Sequence, residues 1–136
     1  MSEGRAVVVA HPNIALAKYW GKCAWPGNYP AVPSLSVTLE GMATRTTVTL
    51  DSARSKDVVV LNGADLGEDA AAKAIQLLER VRAAACISLC ARVESSNDFP
   101  TGSGLASSAS GFAALALAAV RAYGIAAVAS LVGAMF

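Results

Sequence analysis

Two segments of the chain concentrate side chains that could do chemistry. The first is Asn13-Ile14-Ala15-Leu16-Ala17-Lys18-Tyr19-Trp20-Gly21-Lys22. On a strand, Lys18 and Lys22 share one face, because side chains alternate with a period of two. Two ammonium groups on one face suit a multiply anionic ligand such as a diphosphate. Tyr19 offers a hydroxyl donor and Trp20 an apolar wall. The second segment runs from Pro100 to Gly111, as Pro-Thr-Gly-Ser-Gly-Leu-Ala-Ser-Ser-Ala-Ser-Gly. Its small residues let a ligand approach the backbone closely. The first N–H groups of a following helix have no intrahelical partner, and the helix dipole adds positive potential there. Serine hydroxyls add donors or a metal ligand, so phosphate binding is the chemistry this segment suits. No Gly-Lys-Ser/Thr follows, which excludes a Walker loop. Gly102 and Gly104 are followed by Ser107, with no compact βαβ unit around them, which excludes the dinucleotide fingerprint. Taken singly, each segment also fits a plainer role: a solvated edge strand with snorkelling lysines, or a Gly/Ser loop capping an ordinary helix.

The elements that must position these segments follow from periodicity and turn chemistry. Arg5 to His11 is a β-branched run and reads as a strand, and Asn13 to Trp20 as a second. Pro26, Gly27, Asn28, Pro30 and Pro33 make Cys23 to Pro33 a loop. Ser34 to Leu39 alternates apolar and polar residues, the pattern of a half-buried strand. Thr44 to Leu50 and Asp57 to Leu61 are further β-rich runs, the latter closed by an Asn62-Gly63 turn. From Asp69 to Ala85 the period becomes helical, with Ile75, Leu78, Val81 and Arg82 on one face and Lys73, Glu79 and Arg80 outward. Ile87 to Glu94 reads as a strand, Ser95 to Ser103 as a loop, and Gly104 to Tyr123 as a long Ala-rich helix ended by Gly124. Ile125 to Phe136 reads as helical too. Strands, a helix, a strand and a helix in that order indicate an α+β fold.

Composition bounds the rest. A chain of 136 residues favours one domain. Its formal net charge of +1 argues against a nucleic-acid protein. With 54% hydrophobic residues the chain can bury a core. Roughly a fifth of it is Ala, so that core must pack small side chains closely. Cys23, Cys86 and Cys90 are too few for a disulfide scaffold and lack the second ligand pair a zinc site needs. With no secretory h-region after Met1 to Arg5, this reads as a reducing, cytoplasmic protein. Arg121 and a cluster of serines interrupt the apolar stretch after Gly104, which argues against a membrane span.

Read together, three segments in order resemble the diphosphomevalonate decarboxylases of the GHMP kinase superfamily. They are Asn13 to Lys22, Ser34 to Leu39, and Asn97 to Ala109 with its Phe-Pro-Thr start. The phosphate loop alone would specify only the superfamily, and the Lys-Tyr-Trp-Gly-Lys segment sharpens it. The resemblance runs from about His11 to about Gly124. It implies a GHMP-kinase-type N-terminal lobe: a β-rich sheet packed against helices, with the phosphate loop at the start of the Ala-rich helix. It implies ATP-dependent decarboxylation of mevalonate 5-diphosphate, with ATP and Mg²⁺ as cofactors and a homodimer as the frequent assembly of the family. By matching position, Asn13, Tyr19, Trp20, Gly21 and Lys22 would bind substrate. Lys18 would lie near the reacting phosphoryl group and, with Ser107, make the catalytic contacts. Gly102, Gly104, Leu105, Ala106, Ser107 and Ser108 would cradle the ATP phosphates, with Ser95 and Asn97 bordering the nucleotide. Ser107 or Ser108 would meet Mg²⁺. A kinase of the same superfamily acting on the mevalonate 3-hydroxyl and a non-catalytic nucleotide-binding remnant are the alternatives.

The resemblance also sets expectations about what lies elsewhere. Residues 1–136 would be the ATP-binding N-terminal domain of a protein about twice as long. The family's Gly-Ser-Gly-Ser-x-x-Arg-Ser segment and catalytic aspartate belong to the part this chain lacks. Asp51, Asp57, Asp65, Asp69 and Asp98 read instead as surface or turn residues. Val128 to Phe136 reads as a divergent tail. An apolar surface is expected around Phe112, Leu115 and Leu117, left open without a second lobe.

Overall fold

A computed structural model describes residues 4–17, 21, 23–26, 29, 31–33, 35–100 and 107–126, with the side chains of the last stretch described from 109 onward. Among the described residues, seven strands and two helices follow in order: β1 Arg5–Ala10, β2 Asn13–Ala17, β3 Leu35–Thr38, β4 Thr44–Asp51, β5 Val58–Leu61, β6 Ala64–Asp65, α1 Glu68–Ala85, β7 Cys90–Asn97 and α2 Ser107–Ala122. Five strands form one sheet in the order β1-β4-β7-β5-β6, and β2 pairs with β3 in a separate two-stranded sheet. All pairs are antiparallel except β5 with β7, whose connection carries β6 and α1. The α+β expectation stands.

The core forms because β4 and β7 each present an apolar row to one face. Val48 and Leu50 of β4 and Ala91 and Val93 of β7 are buried with Val8 of β1 and Val59 of β5. Both helices cover that face. Leu77, Leu78 and Val81 come from α1 and a run of alanines with Leu115 and Val120 from α2. The alanines let α2 lie close to the sheet, against β1 and β4 above all. At Gly4 the approach is tight enough that a Cβ would run into the Ala122 carbonyl oxygen.

Both helices end in a Schellman pair of backbone bonds. Gly124, at φ +73°, donates to the Arg121 carbonyl while Ile125 donates to that of Val120. At the end of α1 the left-handed position is filled by Cys86 rather than a glycine. Asn62 and Gly63 both have positive φ, as a tight hairpin turn requires.

Several expectations are corrected. β7 starts at Cys90 rather than Ile87 and runs through Asn97, so Ser95, Ser96 and Asn97 are strand rather than loop. Their register with β4 continues to Thr44↔Asn97. β2 ends at Ala17 after a register shift, and residues 18–20 lie outside the described residues. β3 is exposed along its whole length rather than half-buried. The two-residue strand β6 was not expected. Of the segment read as helical after Gly124, Ile125 and Ala126 are irregular and 127–136 lie outside the described residues. α2 begins at Ser107, and Gly104, Leu105 and Ala106 lie outside the described residues. Leu115 is buried, and Phe112 and Leu117 are partly covered. The exposed large apolar side chains include Ile14, Leu16, Leu35 and Val37 of the two-stranded sheet instead.

Candidate functional site

The end of β7 and the start of α2 are joined through Thr44 of β4, which bonds to both Asn97 and Ser110, and the second chemical segment connects them in sequence. The two helix starts differ in charge. α1 carries Glu68 and Asp69 in its first turn, which answer its own dipole. α2 has no acidic residue in its first turn and opens on Ser107 and Ser108. An anion would therefore complete the electrostatics of α2 as Glu68 and Asp69 complete those of α1.

Beside this helix start, buried hydroxyls fix the last residues of β7. Thr44 donates to Asn97 Oδ1 at 2.7 Å and lies 2.8 Å from Ser110 Oγ of α2. Thr46 and Ser95 join through their hydroxyls at 2.8 Å. The Asn97 N–H donates to Asn62 Oδ1 at 2.9 Å. One residue on, Asp98 accepts from the Ala43 N–H at 2.7 Å, and its own N–H donates to the Ala43 carbonyl at 3.1 Å. Asn97 is thus held from β4 on one side and from the β5–β6 turn on the other. A cavity of about 260 Å³ opens next to it, between α1 and α2. Thr46, Ser95 and Asn97 supply its polar wall, and Leu61, Phe112 and Leu115 part of its apolar one.

The structure therefore brings two sequence-predicted residues, Ser95 and Asn97, to the start of the helix that opens on Ser107 and Ser108. Asn13 and Gly21 lie elsewhere, on the two-stranded sheet and its loop. Asn13 Nδ2 donates to Ser36 Oγ at 3.3 Å, and the Gly21 carbonyl accepts from the Ala31 N–H at 3.1 Å. Lys18, Tyr19, Trp20, Lys22, Gly102, Gly104, Leu105 and Ala106 lie outside the described residues, as do the side chains of Ser107 and Ser108. Among the described residues no three His, Cys, Asp or Glu side chains gather as a metal would need. No described helix is long and apolar enough to cross a membrane.

Sequence reasoning missed Thr44, Thr46 and Ser110. The available signal was their position: Thr44 and Thr46 occupy the same face of β4 as Val48 and Leu50. A hydroxyl on a core-facing row must find a buried partner.

Asp57 is a correction. Its side chain is only 5% exposed and is bound by Arg82, so it is neither a surface nor a turn residue. A larger groove, about 650 Å³, passes this pair, and none of the sequence-predicted site residues lines it. Burial works against the Arg82 charge, but its hydrogen bonds to Asp57 and Tyr123 outweigh that and hold the guanidinium above its ordinary value. Burial also raises the Tyr123 hydroxyl, which Arg82 partly opposes.

The mixed sheet covered on one face by two helices matches the GHMP-kinase-type N-terminal lobe of solved mevalonate diphosphate decarboxylases. Comparison with known proteins is specific. The diphosphomevalonate decarboxylase-like N-terminal domain family matches residues 10–134, and the chain belongs to that family. The match reaches beyond Val128, into the segment expected to diverge. Diphosphomevalonate decarboxylase of Bos taurus is 39% identical over 142 residues, covering 91% of this chain and 36% of that protein. The mevalonate diphosphate decarboxylase of Enterococcus faecalis, in a structure concerned with its ATP binding mechanism, is 46% identical with a TM-score of 0.85. It covers 94% of this chain and 40% of that one. A solved complex of MDDEF with MVAPP, AMPPCP and magnesium is 46% identical with a TM-score of 0.84, covering 94% of this chain and 39% of that chain. The chain spans about a third of the length of the curated relatives it matches, less than the half expected.

Proposed function

We propose that this chain is the ATP-binding N-terminal part of an enzyme that decarboxylates mevalonate 5-diphosphate to isopentenyl diphosphate. The observation that carries the reading is the acid-free start of α2 beside the fixed end of β7, in a chain 46% identical to a protein solved with AMPPCP and magnesium. ATP supplies the phosphoryl group that makes the tertiary 3-hydroxyl a leaving group, and loss of that phosphate with carbon dioxide gives the alkene. Such transfer depends on positioning and charge neutralisation more than on covalent help.

The residues divide that work. The backbone N–H groups from Gly102 through Ser108 would hold the phosphates, and Ser95 and Asn97 would border the nucleoside. Mg²⁺ usually keeps few protein ligands and rides on substrate phosphates, so one hydroxyl, that of Ser107 or Ser108, suits it. Lys18 would offset charge at the transferring phosphoryl group. Lys22, Tyr19, Trp20, Gly21 and Asn13 would bind and orient the diphosphomevalonate. The thiols of Cys23, Cys86 and Cys90, outside any described disulfide, fit a cytoplasmic setting.

The test is calorimetric titration of the chain with Mg²⁺ and ATP, then with mevalonate 5-diphosphate, followed by assays for carbon dioxide and ADP. Binding of both ligands without carbon dioxide release is the expected result, because none of the residues assigned above is a carboxylate that could take the hydroxyl proton. Failure to bind either ligand overturns the reading. ADP formation without carbon dioxide would move it to a kinase.

A further inference from the structure

We propose that Ser95 donates its hydroxyl hydrogen to the base of the nucleotide and that Thr46 is the positioning residue that frees it to do so, an inference that rests on the nucleotide reading above and deepens it. The two hydroxyls lie 2.8 Å apart and share one hydrogen bond. Together they carry two hydrogens, so one is left over. Burial decides which. Thr46 is fully buried, and among the described residues Ser95 is the partner of its hydroxyl. Were Thr46 to accept, its own hydrogen would be buried without an acceptor, which is the costly arrangement. Thr46 therefore donates and Ser95 accepts. Ser95 is half-buried in the wall of the 260 Å³ cavity, and its hydrogen is the one left for a ligand.

The cavity itself selects the part of the ligand. The described residues that line it carry no charge: Thr46, Ser95 and Asn97 are the polar ones, and side chains such as Leu61 and Leu115 make up the rest. A phosphate entering it would lose its hydration with no cation to answer it. At about 260 Å³ the cavity is also smaller than the ~300–1,000 Å³ of pockets that enclose a whole ligand. It suits one uncharged, flat, largely apolar part of a larger molecule, with a single acceptor turned to Ser95. A purine base is such a part, because its ring nitrogens accept hydrogen bonds. Gly111, about one turn from the start of α2, lines the same cavity. A base seated there leaves its phosphates on the side of that helix start.

The experiment titrates the full chain with ATP and with inorganic tripolyphosphate, which has no base, both with Mg²⁺ and with thermal unfolding recorded for every variant. Ser95→Ala is expected to weaken ATP binding about fivefold, the loss of one neutral hydrogen bond, and to leave tripolyphosphate unchanged. Ala70→Leu, at an exposed position of α1 on the cavity wall, should likewise weaken ATP alone, by filling the space of the base. Thr46→Val lets the Ser95 hydroxyl turn and should weaken ATP about threefold, while Thr46→Ser should restore it. On a Ser95→Ala background, Thr46→Val should cause no further loss, a coupling that a purely structural role would not produce in the affinity. Should Ser95→Ala not fold, the double variant removes both hydroxyls, strands neither, and carries the same comparison. The inference is overturned if the folded Ser95 variant or Ala70→Leu binds ATP like wild type, or if ATP and tripolyphosphate weaken alike. Wild-type chain that binds no ATP overturns the nucleotide reading itself, and this inference with it.

Discussion

Both carboxylate oxygens of Asp57 lie 2.6 Å from Nη2 of Arg82, a closed pair on the inner side of α1. The pair is wired further. Asp57 Oδ1 accepts from the Ala91 N–H at 2.8 Å, Arg82 Nε donates to the Tyr123 hydroxyl at 3.3 Å, and that hydroxyl donates to the Leu89 carbonyl at 2.7 Å. One carboxylate therefore joins the segment before β5, helix α1, the start of β7 and the end of α2. Removing one partner of a buried pair leaves the other charge uncompensated. Arg82 keeps 20% of its side chain exposed, which places the cost at the lower end of the roughly 3–5 kcal/mol typical of breaking a buried pair. Asp57→Ala should destabilise the chain by about 3 kcal/mol, read from urea unfolding midpoints. A loss no larger than that of an ordinary surface pair would show that the network holds nothing together.

Tyr123 makes stability depend on alkaline pH. In the unfolded chain its hydroxyl ionises near the ordinary 10.0, whereas burial in the folded chain keeps the proton to higher pH. The folded state then binds more protons than the unfolded one, so stability is full below 10.0 and falls as pH rises beyond it. Tyr123→Phe removes this titration while also removing a hydrogen bond. It should lower stability at neutral pH and flatten the alkaline loss. Unfolding midpoints of both proteins between about pH 9 and 11 give the two slopes; parallel slopes would count against it.

Gly4 seats β1 under the end of α2. Its carbonyl accepts from the Leu50 N–H at 2.8 Å, and a side chain would meet the Ala122 carbonyl, which is backbone and cannot swing aside. Gly4→Ala should destabilise by about 1–3 kcal/mol, as overpacking does. Thermal unfolding measures it, and an unchanged midpoint would mean that the strand end simply lifts away.

These particulars show where the sequence was legible. Periodicity found α1 because Leu78 and Val81 recur at helical spacing while Lys73, Glu79 and Arg80 face water, as they do in the structure. The Ala-rich helix α2 was legible because its signal is local: serines and small residues opening an uninterrupted apolar run. The end of β7 was not. Ser95, Ser96 and Asn97 look like a loop until Thr46 and Thr44, about fifty residues upstream in the chain, supply their hydroxyls. Asp57 looked like a turn residue for the same reason, since its partner is 25 residues away. Gly4 carried no signal at all, because what demands a glycine there is a carbonyl at the far end of α2.

The two-stranded sheet sets the behaviour of the chain alone. Ile14 pairs directly with Val37, and Leu35 lies two residues from Val37, so an apolar row runs along one face. Leu16 is 64% exposed and Leu35 60%. A sheet of two strands is marginal in water unless its apolar face is packed against something. Burying a leucine contributes about 1.5–3 kcal/mol, which is a factor of ten or more in association. The chain should therefore self-associate as its concentration rises, and Leu16→Lys or Leu35→Lys should each weaken that association about tenfold. Phe112→Lys should do less, because α2 is already half covered there. Static light scattering over a concentration series decides it. A wild-type chain that stays monomeric would show that the apolar face of β2 and β3 is satisfied within the molecule.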